Sequence, residues 1–124
     1  MTTEELKERF RVFSIRIIQM VNNMPNTIAS IAIAKQIIRS GTSPAANYRA
    51  ACLAKSKKDF LNKLKMVEEE VDETSHWLSI IMDAEILPRT SVEYLYDESV
   101  ELRRIVVRSI TTIKKAIEAN ERHV

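Results

Sequence analysis

Apolar residues recur along this chain at intervals of three and four, the period of an α-helix. Leu6, Phe10, Phe13, Ile17, Met20 and Met24 follow one another at spacings of 4, 3, 4, 3 and 4. That pattern lays one stripe along a first helix, which Thr2 and Glu5 can open as a capping box and which should end between Asn22 and Pro25. A second helix begins after Asn26, carries Ile28, Ile31, Ala34 and Ile38 as its stripe, and meets Gly41-Thr42-Ser43-Pro44. There Gly41 loosens the helix, and Ser43 and Pro44 restart it as N-cap and first helical residue, so a kinked or broken second helix is expected. A third, from about Ser56, places Phe60, Leu64, Val67, Val71, Thr74, Leu78 and Ile81 on a seam and stops before Pro88. The fourth starts at Thr90, with Glu93 completing another capping box, and aligns Leu95, Leu102, Val106, Ile113 and Ala116.

Short connections favour antiparallel neighbours. The predicted fold is therefore all-α: one domain over residues 1–124, an up-down-up-down four-helix bundle about 42 Å long. More apolar residues are present than one bundle core requires. Val12, Ile15, Ile18, Ile33, Ile37, Trp77, Ile80, Ile105 and Val107 lie beside or opposite the stripes, and an exposed apolar surface of that extent marks a subunit interface.

Composition narrows the class without changing the architecture. A single Gly and three Pro in 124 residues leave few helix breakers, and the length supports one core but not two. No apolar run reaches the roughly 18 residues of a membrane span, and MTTEELKERF is charged where a signal peptide needs an apolar core, so a cytoplasmic protein is expected. Cys52 has no second cysteine to bond with and reads as a buried free thiol.

Charge changes the picture more, because the net value of +2 hides segregation along the chain. Residues 1–66 hold 12 Lys/Arg against 4 Asp/Glu, residues 67–102 hold 1 against 11, and residues 103–124 hold 6 against 2. Lys35, Arg39 and Arg49 lead to a cluster of Lys55, Lys57, Lys58, Lys63 and Lys65, and Arg103, Arg104, Arg108, Lys114 and Lys115 form another. Such clusters neutralise phosphates with little regard to base sequence and lose affinity steeply with salt. The competing reading is a solvated face whose cations pair with the acidic block.

Catalytic and metal chemistry find little support. Glu73 and His76 form one Glu-x-x-His pair, but a di-iron bundle needs two, and the other histidine is His123 near the chain end. Glu69, Glu70 and Glu73 match the Glu-Glu-x-x-Glu element of Mg²⁺-dependent all-α nucleotide pyrophosphatases. The second acidic pair of those enzymes is Glu-x-x-Asp, and Glu93 with Asp97 has one residue too many. One cysteine and one interior histidine without a Gly-rich elbow make no nucleophilic site, and Gly41 alone makes no phosphate loop. No catalytic residue, metal or cofactor is expected.

Two segments, QIIRSGTSPAANYRAA (Gln36 to Ala51) and SKKDFLNKLKMVEEEVDETSHWL (Ser56 to Leu78), carry a resemblance to a known family. With FSIRIIQMVNNMP (Phe13 to Pro25) and the Glu/Leu/Ile-rich last helix, they resemble the bacterial four helix bundle proteins, also called intervening-sequence proteins because members are encoded in insertions within large-subunit ribosomal RNA genes. The residues that carry the signature are Arg39, Ser40, Ser43, Asn47, Tyr48, Asp59, Phe60, Glu69, Glu73, Thr74, Trp77 and Leu78. Pro44 stands where many members carry Val-Gly or Ile-Gly, and Ser79 follows Trp77-Leu78 where Glu is frequent.

Most of these residues have a structural reading. Asn47 is expected to bond backbone groups freed by Gly41 and Pro44, Arg39 to pair with Glu69 or Glu73, and Asp59 to favour the start of the third helix through its macrodipole. Ala45, Ala46, Ala50 and Ala51 permit close helix approach, while Tyr48 and Trp77 supply contact area with a polar edge.

The resemblance implies a homopentamer. It further implies kinship with the accessory variability determinants of diversity-generating retroelements, basic barrels that associate with a reverse transcriptase and nucleic acid. The expected function is a non-catalytic homo-oligomeric bundle that binds RNA or DNA backbone, or a reverse transcriptase or other nucleic-acid enzyme, through Lys35, Arg39, Arg49, Lys55, Lys57, Lys58, Lys63, Lys65, Arg103, Arg104 and Arg108. The alternatives are a protein-interaction scaffold and, more remotely, the nucleotide pyrophosphatase.

Overall fold

The computed structural model describes residues 1–122 as four helices: α1 (Thr3–Val21), α2 (Ile28–Ala51), α3 (Lys57–Asp83) and α4 (Arg89–Arg122). His123 lies outside the described residues. Each helix packs on its neighbours in a closed ring, α1 on α2, α2 on α3, α3 on α4 and α4 on α1. Cross-helix contacts fix the antiparallel sense. Early α1 meets late α2 where Phe10 and Tyr48 stack with ring centroids 5.3 Å apart, and late α1 meets early α4 where Arg16 lies 6.0 Å from the Tyr94 ring. In α3 and α4 the Ser75 and Ser99 hydroxyls pair at 2.7 Å, and Arg9 grips Glu98 bidentately at 2.6 and 2.8 Å.

The stripes of α1 and α3 face inward as read. Leu6, Phe10, Phe13, Ile17 and Met20 are buried from α1, and Leu64, Val67, Val71, Thr74, Leu78 and Ile81 from α3. The capping box of α1 forms with both its bonds, Glu5 N to Thr2 Oγ1 at 3.1 Å and Thr2 N to Glu5 Oε2 at 3.3 Å. Thr27 caps α2 and Ser56 caps α3 through the same kind of side-chain oxygen. At the end of α3, Glu85 adopts φ 56 while Ile86 N bonds Ile81 O and Glu85 N bonds Met82 O. This is a Schellman stop with a charged residue where glycine fits best.

Three expectations are corrected. First, α2 presents the other face to the core: Ser30, Ile37, Ser40, Gly41, Pro44, Tyr48 and Ala51 are buried. Ile28, Ile31 and Ile38 are instead 92%, 43% and 37% exposed. Ile37, read as surplus, is fully buried.

Second, of the kink or break expected in α2, the break does not occur. It runs as one helix through Gly41 and Pro44, and the glycine has a packing role. A Cβ at Gly41 would lie 2.8 Å from Ile17 Cγ2, so α1 approaches α2 as closely as a bare backbone allows, and Ser14 Oγ reaches Gly41 O at 3.3 Å. Pro44 removes one intrahelical hydrogen bond, and burial of α2 against both neighbours sustains the helix across that gap. Ser43 is no N-cap: its Oγ is buried with no hydrogen-bond partner among the described residues.

Third, α4 starts at Arg89, one residue ahead of the expected cap, so Thr90 sits within the first turn. Arg89 ties this start to the end of α3 through Asp83 at 2.7 Å.

Candidate nucleic-acid interface

Folding places the acidic middle of the chain beside part of the basic first half, and several predicted phosphate binders are thereby engaged. Arg39 donates to Glu70 at 2.9 Å and also binds Glu73. Trp77 Nε1 donates to the same Glu73 carboxylate at 3.1 Å. Burial alone would raise the Glu73 pKa, but the Trp77 and Arg39 bonds outweigh it and hold the carboxyl below the usual glutamate range. Arg39 therefore pairs with Glu70 and Glu73, while Glu69 points to solvent. The same arrangement turns two carboxylates of the Glu-Glu-x-x-Glu element onto a guanidinium. Among the described residues no three His, Cys, Asp or Glu side chains converge on a metal position.

Lys63 is held by Asp59 at 2.6 Å, and this bond is the main reason the Asp59 carboxyl sits below its ordinary range. Arg103 spans Glu68 and Asp72 at 3.7 and 3.8 Å, and Arg104 faces Glu101 at 3.7 Å. Arg39 and Lys63 leave the candidate interface, Arg103 is flanked by two carboxylates, and Arg104 keeps only a long contact with its side chain 66% exposed. Lys35 is exposed but lies near the other end, in a depression between α1 and α2 with Val21, Met24, Ile31 and Ile38. Arg49 lines a different α1/α2 groove with Glu4, Glu8, Arg11, Ala45 and Ala46.

Apart from Lys35 and Arg49, the candidate cations that remain lie toward one pole. Among the described residues Lys55, Lys57, Lys65, Arg108, Lys114 and Lys115 form no ion pair. Lys58 has only a long contact to Glu121 at 3.8 Å, both side chains being largely exposed. That contact brings the first turn of α3 against the end of α4, so the α2–α3 connection and the last turns of α4 share one end of the bundle. Lys55 and Lys57 there flank a depression that also holds Ile113 of α4. Lys65 follows on the same face of α3, two turns beyond Lys58. The α4 group beyond Arg104 thus joins the α2–α3 group in space, which sequence order hides and antiparallel packing creates.

The rest of the signature is structural. Ser40 and Thr74 are fully buried and bonded to each other at 3.0 Å across α2 and α3. Leu78 lies in the core cluster, and Phe60 is partly buried at that cluster's edge. Tyr48 is 6% exposed; burial, then the adjacent Cys52 thiol, pushes its hydroxyl up to about 12, so it remains a neutral donor at working pH. Asn47 makes no side-chain hydrogen bond among the described residues, and the expected bond to the freed backbone does not form. Nearby, Thr42 Oγ1 bonds back to Ile38 O of its own turn at 2.6 Å.

A second surface was only half legible. The flank of α1 that turns Ser14 toward Gly41 also carries Ile15 and Ile18, 38% and 40% exposed. On α2 the facing flank carries Ile31 and Ile38. These isoleucines, with Val21, Met24 and Ala34 of the adjoining depression, make one apolar strip along the α1/α2 edge. Part of it had been assigned to the core.

The geometry defines the class: an antiparallel four-helix bundle with a greasy flank and a basic pole, and with no helix among the described residues long and apolar enough to cross a membrane. Over residues 4–108 the sequence matches the profile of the 23S rRNA-intervening sequence protein family. The chain belongs to that family. It is also similar to a crystal structure of a protein of unknown function from the S23 ribosomal protein family of Bacteroides thetaiotaomicron, at 33% identity and a TM-score of 0.79, over 85% of this chain and 97% of that one. No match is found among curated proteins.

Proposed function

We propose that this protein is a non-catalytic, homo-oligomeric scaffold of the cytoplasm that binds the phosphate backbone of RNA or DNA through its basic pole. The observation that carries the reading is that Lys55, Lys57, Arg108, Lys114 and Lys115 are exposed and unpaired among the described residues, with Lys58 in one long exposed contact, whereas Arg39 and Lys63 are held by carboxylates at hydrogen-bond distance. A solvated face would be expected to disperse its cations or pair them, whereas these concentrate at one end. Self-association is supported by the α1/α2 strip, whose isoleucines stay 37–43% exposed in the single chain; five copies is the number the family resemblance implies. An oligomer multiplies the poles, and a multivalent cationic surface suits either a strand or a nucleic-acid enzyme such as a reverse transcriptase that holds one.

Fluorescence anisotropy with a labelled generic RNA tests the proposal. If five cations per protomer engage phosphates, affinity falls about 100-fold between 50 and 200 mM salt. Reversing Lys55, Lys57, Lys58 and Arg108 to Glu should abolish binding, while Lys35→Glu at the other end leaves it unchanged. Absence of binding by the wild-type protein at low salt, or equal loss from Lys35→Glu, would reject the assignment.

A further inference from the structure

A cleft of about 380 Å³ opens at the basic pole, between the first turns of α1 and the second half of α4, floored by Leu6, Tyr48, Phe60, Ile105 and Ile113. A second depression of about 490 Å³ shares Tyr48, Phe60 and Ile113 with it and runs on to Lys55 and Lys57. The two form one trough. Arg108 stands on its far wall, so an apolar floor lies between cations at both ends. Its origin is the packing: α1 and α4 share the smallest of the four interfaces, which leaves the α4 face from Ile105 to Ala116, about 16 Å long, open on its α1 side.

We infer that this trough seats an unpaired base of a bound single strand, with the flanking phosphates on Arg108, Lys55 and Lys57. A patch that only reads backbone charge has no use for an apolar floor with an aromatic edge. A ligand that fits both parts must be flat and weakly polar in the middle and anionic on either side. A nucleotide within a single strand has that alternation, whereas a duplex keeps its bases stacked inside and offers phosphates alone. The trough thus narrows the polyanion to single-stranded or locally unpaired nucleic acid, an inference that rests on the backbone-binding reading above.

The test compares three labelled probes of 12 nucleotides at one salt concentration: a mixed-sequence single strand, a strand of the same length made of abasic sites, and the blunt duplex. The intact single strand should bind about 5- to 150-fold tighter than either of the others, the range of one base–aromatic stack. Ala116→Phe, which fills the trough without removing any core atom, should lower single-strand affinity to the abasic level and leave duplex and abasic binding alone. Phe60→Ala should act likewise; if it unfolds, as circular dichroism would reveal, Ala116→Phe carries the test by itself. Equal affinity for all three probes, or an unchanged single-strand preference in Ala116→Phe, overturns base seating while backbone binding stands. Failure of every probe to bind at low salt overturns both.

Discussion

Gly41→Ala distinguishes a packing glycine from a helix-breaking one. On propensity alone alanine should stabilise an interior helical position by about 1 kcal/mol, and a glycine that merely loosened α2 would show that gain. In the structure the added methyl meets Ile17 Cγ2 at 2.8 Å and Cγ1 at 3.1 Å. Ile17 is fully buried and β-branched, so it has little freedom to swing aside. Overpacking of this kind costs about 1–3 kcal/mol, and pushing α1 outward also weakens the bond from Ser14 to Gly41, a further contribution of about 1 kcal/mol. The net expectation is a loss of about 1–3 kcal/mol, or a Tm lower by about 4–12 °C for a domain of this size. Urea denaturation followed by circular dichroism reads the change directly. A second variant isolates its cause: Ile17→Ala costs about 2–5 kcal/mol alone but should cost at least 1 kcal/mol less beside Gly41→Ala, because the methyl then occupies vacated space. A Gly41→Ala protein at or above wild-type stability, with no coupling to position 17, would refute the close-approach argument.

Three further outcomes follow from particular residues. Glu85 holds φ 56 at the end of α3, so Glu85→Gly should stabilise by about 0.5–1 kcal/mol through relief of the left-handed conformation, measured by the same denaturation. Glu73 has a carboxyl pKa below its unfolded value because of Trp77 and Arg39; its stabilisation is complete above the ordinary glutamate range near 4.3 and is lost as pH falls through the lower folded value. Glu73→Gln should therefore flatten the acid limb of the stability profile between about pH 5 and 3 and leave its slope above pH 6 unchanged. Ile31→Glu with Ile38→Glu should yield a folded monomer by sedimentation velocity, since both side chains lie outside the core; persistence of the oligomer would assign its interface to another surface.

The parts of the fold that could be read from sequence are those where the apolar stripe and the core face coincide. In α1 and α3 the heptad positions, from Leu6 to Met20 and from Leu64 to Ile81, go where the spacing puts them, and the Thr2–Glu5 box marks the helix start. On α2 the rule inverts. Its core face sets Ser30, Ser40, Gly41 and Pro44, which packing requires to be small or mutually bonded, beside Ile37, while Ile28, Ile31 and Ile38 of the expected stripe lie outside. Hydrophobicity along a helix reports removal from water without saying whether the cover is the chain's own core or another surface, so the richer stripe was the misleading one. Charge was legible as composition but not as a site. Arg39, Lys63 and Arg103 stand in the basic clusters yet are occupied by carboxylates, and the six cations of the pole come from segments about 50 residues apart that only antiparallel packing unites. The trough beside them arises from the loose contact of α1 with α4, a matter of tertiary geometry with no local signature.

Native mass spectrometry of the wild-type protein, with and without a short RNA at low salt, addresses both halves of the account at once. The account predicts an oligomer, five copies by family resemblance, that gains the mass of RNA and gives it up as salt rises. A protein that stays at the 14.3 kDa of a single chain and acquires no RNA would contradict it.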